Sequence, residues 1–544
     1  MLRIANIKLP LSGTPEDALQ QIIKKLRISR ETVLSFHISK KSVDARDKGD
    51  VHFVVSLDIK VKDEQKLLKS LKPGIATLLP PAPSFPRATA PNGMRPVIAG
   101  FGPGGLFAAL TLARNGLKPI VLERGENVEN RARTVDLFSS TGELNTESNI
   151  QFGEGGAGAF SDGKLTTGIK DKRCQLILQE LFAHGAPEEI LYLAHPHIGT
   201  DKLPQVVANI RKEIIEQGGE VHFGARLSGI QVTKNQLTCV EYMQNGEKKE
   251  IATDALIVAI GHSAADTQQM LYRSGVNMIQ KPFSVGVRIE HPQSLINQSQ
   301  YGKAARHPAL GAAEYHLSQK LKDGRGVYTF CMCPGGTVVP AASRENALCV
   351  NGMSPFARDG QNANAALLID VRTEDFGDDH PLAGYVLQRM WEEKAFRAGG
   401  SNYHAPVQLC GDFLAGKETK QLGSVTPTYR PGITCADLQA VLPSFAVNGL
   451  REALPVFDRR LKGFALPDAV MTAVESRSSC PVRLPRDERF ESNIQGIFPC
   501  GEGAGYAGGI MSAAADGMRV AEALMKKSTE LFIIIESIPV AYRL

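Results

Sequence analysis

The sequence predicts an α/β protein: a doubly wound, Rossmann-like core, interrupted by an inserted α+β segment and preceded by a small α+β unit. Three observations predict it. The apolar strand Val97-Ile98-Ala99 runs into Gly100-Phe101-Gly102-Pro103-Gly104-Gly105, which opens a helical stretch over 106–115, and a second apolar strand ends on Glu123. Glycine-rich strand-to-helix punctuation of the same kind returns from Gly496 onward, after residues 271–480 have interrupted it. A proline-rich stretch over 73–94 separates all of this from a basic leading segment.

The leading segment, 1–72, holds 15 Lys and Arg against 9 Asp and Glu, so the net charge of +5 resides here. Its periodicity predicts strands over 2–9, 33–41 and 51–61, a helix over 14–25 capped by Thr14 or Ser12, and a helix over 63–71. The order βαββα suggests a ferredoxin-like unit. Lys40, Lys41, Arg46 and Lys48 read either as a solvated hairpin end, diluted by Asp44, Asp47 and Asp50, or as a basic docking surface for RNA, an acidic partner or the rest of the chain. Residues 73–94, with Pro80, Pro81, Pro83, Pro86 and Pro91, show neither helical nor strand period and read as a stiff extended linker.

In the βαβ unit each glycine has a task. Gly100 makes the tight turn, Gly102 lets backbone approach a pyrophosphate, and Gly105 lets the helix pack on the strand. The helix start offers N–H groups and a partial positive charge to phosphates. Glu123, 23 residues after Gly100, stands where a carboxylate accepts hydrogen bonds from ribose hydroxyls, and an acid there argues against a 2′-phosphate.

Five glycines within 153–163 allow backbone contact with a flat or phosphate-bearing ligand, the alternative being a mobile loop. Short strands over 221–223 and 227–232, and a hairpin around Asn245-Gly246, form a β-meander. The unbroken apolar strand 255–260 ends on Gly261-His262 and is expected to be buried on both faces. Near the end, Gly501-Glu502 follows another buried strand, and Gly508-Gly509 opens a helix over 512–525. Glu502 suits a polyol or sugar hydroxyl; the helix start suits a group that becomes anionic.

The longest apolar runs fall short of a membrane span, and residues 1–8 lack the apolar core of a signal peptide. Nine cysteines, widely spaced except for Cys331 and Cys333, argue against a disulfide framework. A cytoplasmic protein without a membrane partner is expected.

With these segments assembled, the chain resembles the two-dinucleotide-binding-domain flavoproteins of the glutathione-reductase type. Within them it is most similar to the bacterial FAD-dependent dehydrogenases of unassigned substrate, which place a small α+β domain before the flavin domain. The resemblance runs from Leu2 to about Leu524. It includes Ser42-Val-Asp-Ala-Arg46, residues 153–165, His197-Ile-Gly-Thr-Asp-Lys-Leu203, Phe330-Cys-Met-Cys-Pro-Gly-Gly336, Asn351-Gly-Met-Ser354 and Val474-Glu-Ser-Arg-Ser-Ser479.

The resemblance implies FAD. Gly100, Gly102, Pro103, Gly104, Gly105, Glu123 and Arg124 would surround its ADP half, and Gly155, Gly156, Ser161, Gly163 and Leu165 its pyrophosphate and flavin side. Leu227 and Gly261 would lie toward the adenosine, and Gly501, Glu502, Gly509, Ile510 and Met511 toward the ribityl chain and ring, although many relatives carry aspartate where Glu502 stands. The last helix start would stabilise an anionic reduced flavin by up to about 2 kcal/mol, a shift of roughly 40 mV for a two-electron couple. The implied layout is a basic unit 1–72, linker 73–94, flavin domain 95–270, substrate or cap domain 271–480, the rest of the flavin domain 481–527, and a tail 528–544.

In the cap, strands are expected around 284–290 and 327–332 and a helix over 381–397, with no second GxGxxG for a dedicated nicotinamide domain. Cys331-Met332-Cys333 reads as a redox thiol pair, a substrate-facing turn or plain packing; zinc would need two further ligands at matched spacing, so no metal is expected. His195 and His197 read as proton-transfer groups or as a turn before a helix capped by Thr200 or Asp201. Arg288, Arg358 and Arg477 are candidate carboxylate clamps, Arg477 foremost. The expected function is transfer of hydride or electrons between flavin and a small organic substrate, with NAD(P)H as a transient donor. The alternatives are a flavoprotein acting on RNA through residues 1–72, whose aromatics are Phe36 and Phe53 alone, or an FAD protein without turnover.

Overall fold

The computed structural model describes residues 1–81, 83–87 and 95–537, the last ten of these by backbone alone. At its centre is a five-stranded sheet in the order Ile497–Pro499, Leu256–Val258, Val97–Ala99, Ile120–Leu122, Glu220–His222, every neighbouring pair parallel. Four of its strands, all but Glu220–His222, are short and fully apolar because helices cover one face and the meander the other. The meander, Ala225–Thr233, Gln236–Gln244 and Glu247–Ala252, turns at Asn245-Gly246 with both residues at positive φ, 53° and 79°.

The chain leaves this sheet after Leu256–Val258 and returns on the adjacent strand Ile497–Pro499. In between it builds a seven-stranded, mostly antiparallel sheet in the order Ser318–Lys320, Gly326–Cys333, Asn362–Val371, Phe283–Pro292, Val470–Glu475, Ala405–Leu409, Ile433–Cys435. Helices Ala383–Ala398 and Ser444–Arg460 pack on it, and Trp391 lies buried beside Phe283.

Residues 2–78 form a four-stranded antiparallel sheet in the order Val33–Asp44, His52–Val61, Leu2–Leu9, Thr77–Leu78, the ferredoxin-like topology. Thr14 caps the helix Pro15–Leu26 in a capping box with Asp17. The proline-rich linker therefore differs from expectation at its start, since Thr77 and Leu78 pair with Arg3 and Leu2. Further on, Phe85 lies under the Arg114 guanidinium at 4.5 Å and Pro86 accepts a bond from Asn115 at 3.0 Å, so the segment adheres to the end of helix Pro103–Arg114; Pro91 and the rest of 88–94 lie outside the described residues. The basic unit docks through a β-bridge, in which Lys41 N–H donates to Tyr192 at 2.7 Å and Ala194 N–H to Lys41 at 2.9 Å, and also through Lys48, which donates to the Ser299 carbonyl, and Leu310, which packs against its core.

The final helix runs Ile510–Ser537, through the position where a separate tail from 528 is expected, with 538–544 outside the described residues. Among the described residues no helix is long and apolar enough to cross a membrane.

Candidate functional site

A cleft of about 470 Å³ opens at the carboxyl ends of the parallel strands, where three of them hand over to Gly100, Gly261 and Gly501. Its floor is backbone. Gly102 and Gly156 approach each other so closely that a Cβ on Gly156, which sits at φ +61°, would lie 2.9 Å from the Cα of Gly102. The helix Pro103–Arg114 has Gly102 as its cap and no side-chain partner there, so its first N–H groups face the cleft unclaimed by side chains. Gly261, Gly508 and Gly509 have open space where a Cβ would stand.

Glu123 anchors one end. Its carboxylate accepts N–H bonds from Phe101 at 2.8 Å and from Gly125 and Gly153 at 2.9 Å each, so one buried side chain fixes three loops at this end of the cleft. Arg124 lies over Phe152 at 4.0 Å and bridges Glu147 and Asp266 at 3.0 Å each. Toward the middle, Glu502 stands 3.3 Å from His262 Nδ1, while His262 Nε2 is buried without a partner. An unsatisfied buried nitrogen beside a carboxylate and a glycine floor fits a polyhydroxylated dinucleotide.

The far wall comes from the cap: Phe330, Cys331, Asn351, Glu475, Arg477 and Ser478, with His316 and Lys164 at its edge. Arg288 is fully buried behind it, donating to Glu475 at 2.5 Å, Asn351 at 2.8 Å, the Cys331 carbonyl at 2.8 Å and Asn364 at 3.0 Å. Burial pushes the Glu475 carboxyl up to about 7 against the pull of this guanidinium. Arg477 is held bidentately by Glu392 at 2.7 Å and by Ser343 at 2.5 Å. Burial opposes ionisation of Glu392, and the Arg477 charge outweighs it, holding the carboxyl low. Lys164 bonds Glu314 at 3.0 Å, and Arg358 pairs with both Asp162 and Glu314, stitching the glycine-rich loop to the cap.

The structure gathers Gly100, Gly102, Pro103, Gly104, Glu123, Arg124, Gly156, Ser161, Leu227, Gly261, Gly501, Glu502, Gly509 and Ile510 around this cleft. Five expected contacts lie off the cleft lining. Gly105 does the helix-on-strand packing its spacing predicts, a Cβ there meeting the Gly100 carbonyl at 2.0 Å; Gly155 and Gly163 face Val207 and Ile198; Leu165 and Met511 are buried core residues. These positions belong to loops and a helix start whose other side faces packing.

Of the catalytic candidates, His197 is stacked on Phe356 and donates through Nε2 to the Phe356 carbonyl at 3.0 Å, away from the cleft, with burial lowering its pKa. Cys333 is buried behind Cys331, and Arg288 and Arg358 are consumed by internal ion pairs. His195 pairs with Glu314 at 3.2 Å on the surface. Neither Thr200 nor Asp201 caps the helix Leu203–Glu216: the Thr200 hydroxyl donates to Ala159 and Asp201 accepts from Phe356 N–H. Missed beforehand were His262, Lys164, Asn351 and Glu475. All four stand within or beside stretches already conspicuous for glycine or for the resemblance, and that proximity was the available signal.

Fold and cleft together define a dinucleotide-binding flavoprotein. Comparison with known families agrees: the FAD binding domain model matches residues 95–280, the FAD-dependent protein, C-terminal domain-like model matches 282–478, and a domain of unknown function matches 1–60. An uncharacterized protein of Clostridium beijerinckii is 50% identical over 532 residues, covering 97% of this chain and 99% of that one. The chain belongs to this family of FAD-dependent proteins, and its cofactor is FAD. Among solved structures, the flavin-dependent brominase Bmp2 aligns over 80% of this chain and 79% of its own at 12% identity, with a TM-score of 0.38. The glycerol-3-phosphate dehydrogenase from Bacillus halodurans complexed with FAD aligns over 81% and 65% at 11% identity, with a TM-score of 0.36.

Proposed function

We propose that the protein is an FAD-dependent dehydrogenase that passes hydride or electrons between flavin and a small organic substrate held against the cap wall. When bound, FAD supplies the two-electron chemistry. The chain supplies position. The observation that carries the reading is the continuity of one cleft from the ribose-binding carboxylate of Glu123 to a polar side-chain wall at Asn351, Glu475 and Arg477.

A guanidinium has five N–H donors, and the bonds of Arg477 to Glu392 and Ser343 use three. The two left over suit a carboxylate or carbonyl oxygen of the substrate, and Glu392 fixes the plane in which they point. Lys164 adds a second cation at the same wall.

Reduced nicotinamide dinucleotide is proposed as a transient donor at the exposed face of the cleft. The RNA reading has less to stand on, because Arg30 lies over Phe36 at 5.8 Å and Lys41 over Phe53 at 4.1 Å, engaging both aromatics of the basic unit internally. Anaerobic photometric titration of the flavin against NADH, NADPH and a panel of small carboxylic and carbonyl metabolites tests the proposal. Bleaching by at least one of them is expected; a flavin reduced by none overturns it.

A further inference from the structure

We propose that Cys331 and Cys333 form a redox-active dithiol in the cap wall, a second two-electron store that exchanges with FAD in the same cleft. The step is balanced: the two thiols give up two electrons and two protons and an S–S bond forms, while FAD takes up the two electrons with protons, and the reverse regenerates the thiols. The proposal rests on the flavin reading above.

The backbone prepares the pair. Strand Gly326–Cys333 pairs regularly with Asn362–Val371 as far as Phe330 opposite Ala366, then loses register until Cys333 opposite Asn364. Cys331 lies in that bulge at φ +40°, left-handed backbone that is costly for a residue with a side chain. The cost accompanies exposure at a functional wall: Cys331 is half-buried and lines the cleft beside Phe330, Asn351 and Glu475.

Cys333 stays behind the wall, fully buried, its thiol 3.3 Å from the carbonyl oxygen of Cys331. The Cys333 thiol therefore turns back onto the peptide of Cys331. Two residues of extended strand span about 6.6 Å, already inside the Cα separation of up to about 6.8 Å that a disulfide tolerates, and a bulge shortens the span.

The electrostatics are unequal, as an attacking thiol and its resolving partner require. Arg288 donates to the Cys331 carbonyl at 2.8 Å and stands 3.8 Å from the Cys333 sulfur, and Lys164 adds positive charge from the flavin side. Burial opposes ionisation of both thiols, while the hydrogen bond between them and these two cations favour one shared thiolate, so the pair gives up its first proton more readily than a lone buried thiol and holds its second more tightly. Cys500 makes the contrast. It too borders the cleft, but no cation offsets its burial enough, and its thiol is pushed far up into the inert range.

The test is an anaerobic reductive titration of the FAD-loaded protein with dithionite, beside Cys331→Ser and Cys333→Ser. The wild type is expected to take up about four electrons per flavin, and either variant about two, since each couple carries two. Differential alkylation of the wild type with peptide mass mapping runs in parallel and depends on no variant. With the reagent added after acid quenching and denaturation, so that the burial of Cys333 shields nothing, cysteines 331 and 333 should resist alkylation in the oxidised protein and accept it after reduction. A wild-type endpoint near two electrons, with both thiols alkylated in the oxidised sample, overturns the dithiol and leaves the flavin reading standing; a protein that binds no FAD overturns both.

Discussion

The two ends of the cleft are built from different materials. The end around Glu123, Gly102 and Gly156 is main chain, shaped by the absence of side chains and closed by one carboxylate. The cap wall is side chain, a set of buried ion pairs such as Arg477 with Glu392 and Arg288 with Glu475. A backbone site tolerates almost no substitution at its glycines but is indifferent to what lies beyond them. A site made of paired charges can change its specificity by changing one member, and unfolds if a member is simply deleted.

Deleting one is the strongest challenge to that contrast. Arg477→Ala strands the buried Glu392 carboxylate, and we expect a loss of about 3–5 kcal/mol in urea unfolding, with Glu392→Gln in the same background restoring part of it. Next in size, Gly156→Ala forces a side chain into left-handed backbone against Gly102 and should weaken FAD retention at least about tenfold, the equivalent of 1.4 kcal/mol, read as flavin content after dialysis. Retention unchanged there would mean the floor is less constrained than its geometry requires. Glu123→Gln keeps the shape but sets an amide N–H against backbone N–H donors; a cost of roughly 1–3 kcal/mol is expected, with FAD loss in proportion.

The smallest effect concerns pH. Burial works against ionisation of Glu314, but His195, Lys164 and Arg358 outweigh it and hold the carboxyl below its ordinary 4.5. A depressed folded-state pKa means that its stabilisation is complete above about pH 4.5 and is lost as the pH falls below it. Unfolding midpoints measured from pH 6 down to pH 3 should therefore decline less steeply in Glu314→Gln than in the wild type.

The same division governed what could be read in advance. Gly100, Gly102, Glu123 and the Thr14 capping signal announce themselves by spacing, because their roles are local to a turn or a helix start. Residues such as Leu165 and Met511 share those stretches, yet spacing does not say which side of a loop meets the ligand and which the core. Arg477 finds Glu392 85 positions away, and His197 finds Phe356 159 positions away; such partners exist only once the cap has folded. The strand at Thr77–Leu78 was hidden because two residues are too few to show a period.

The cap is spliced into the chain between Leu256–Val258 and Ile497–Pro499, and its entering and leaving segments pair with each other, Ile279 opposite Arg483 and Gln280 opposite Val482, so its two attachment points lie side by side. An insertion whose ends are already adjacent asks nothing of the host sheet, whatever its length or contents. Exchange of this one module for another could thus refit the enzyme to a new reactant while the nucleotide cradle beneath it passes unaltered from one descendant to the next.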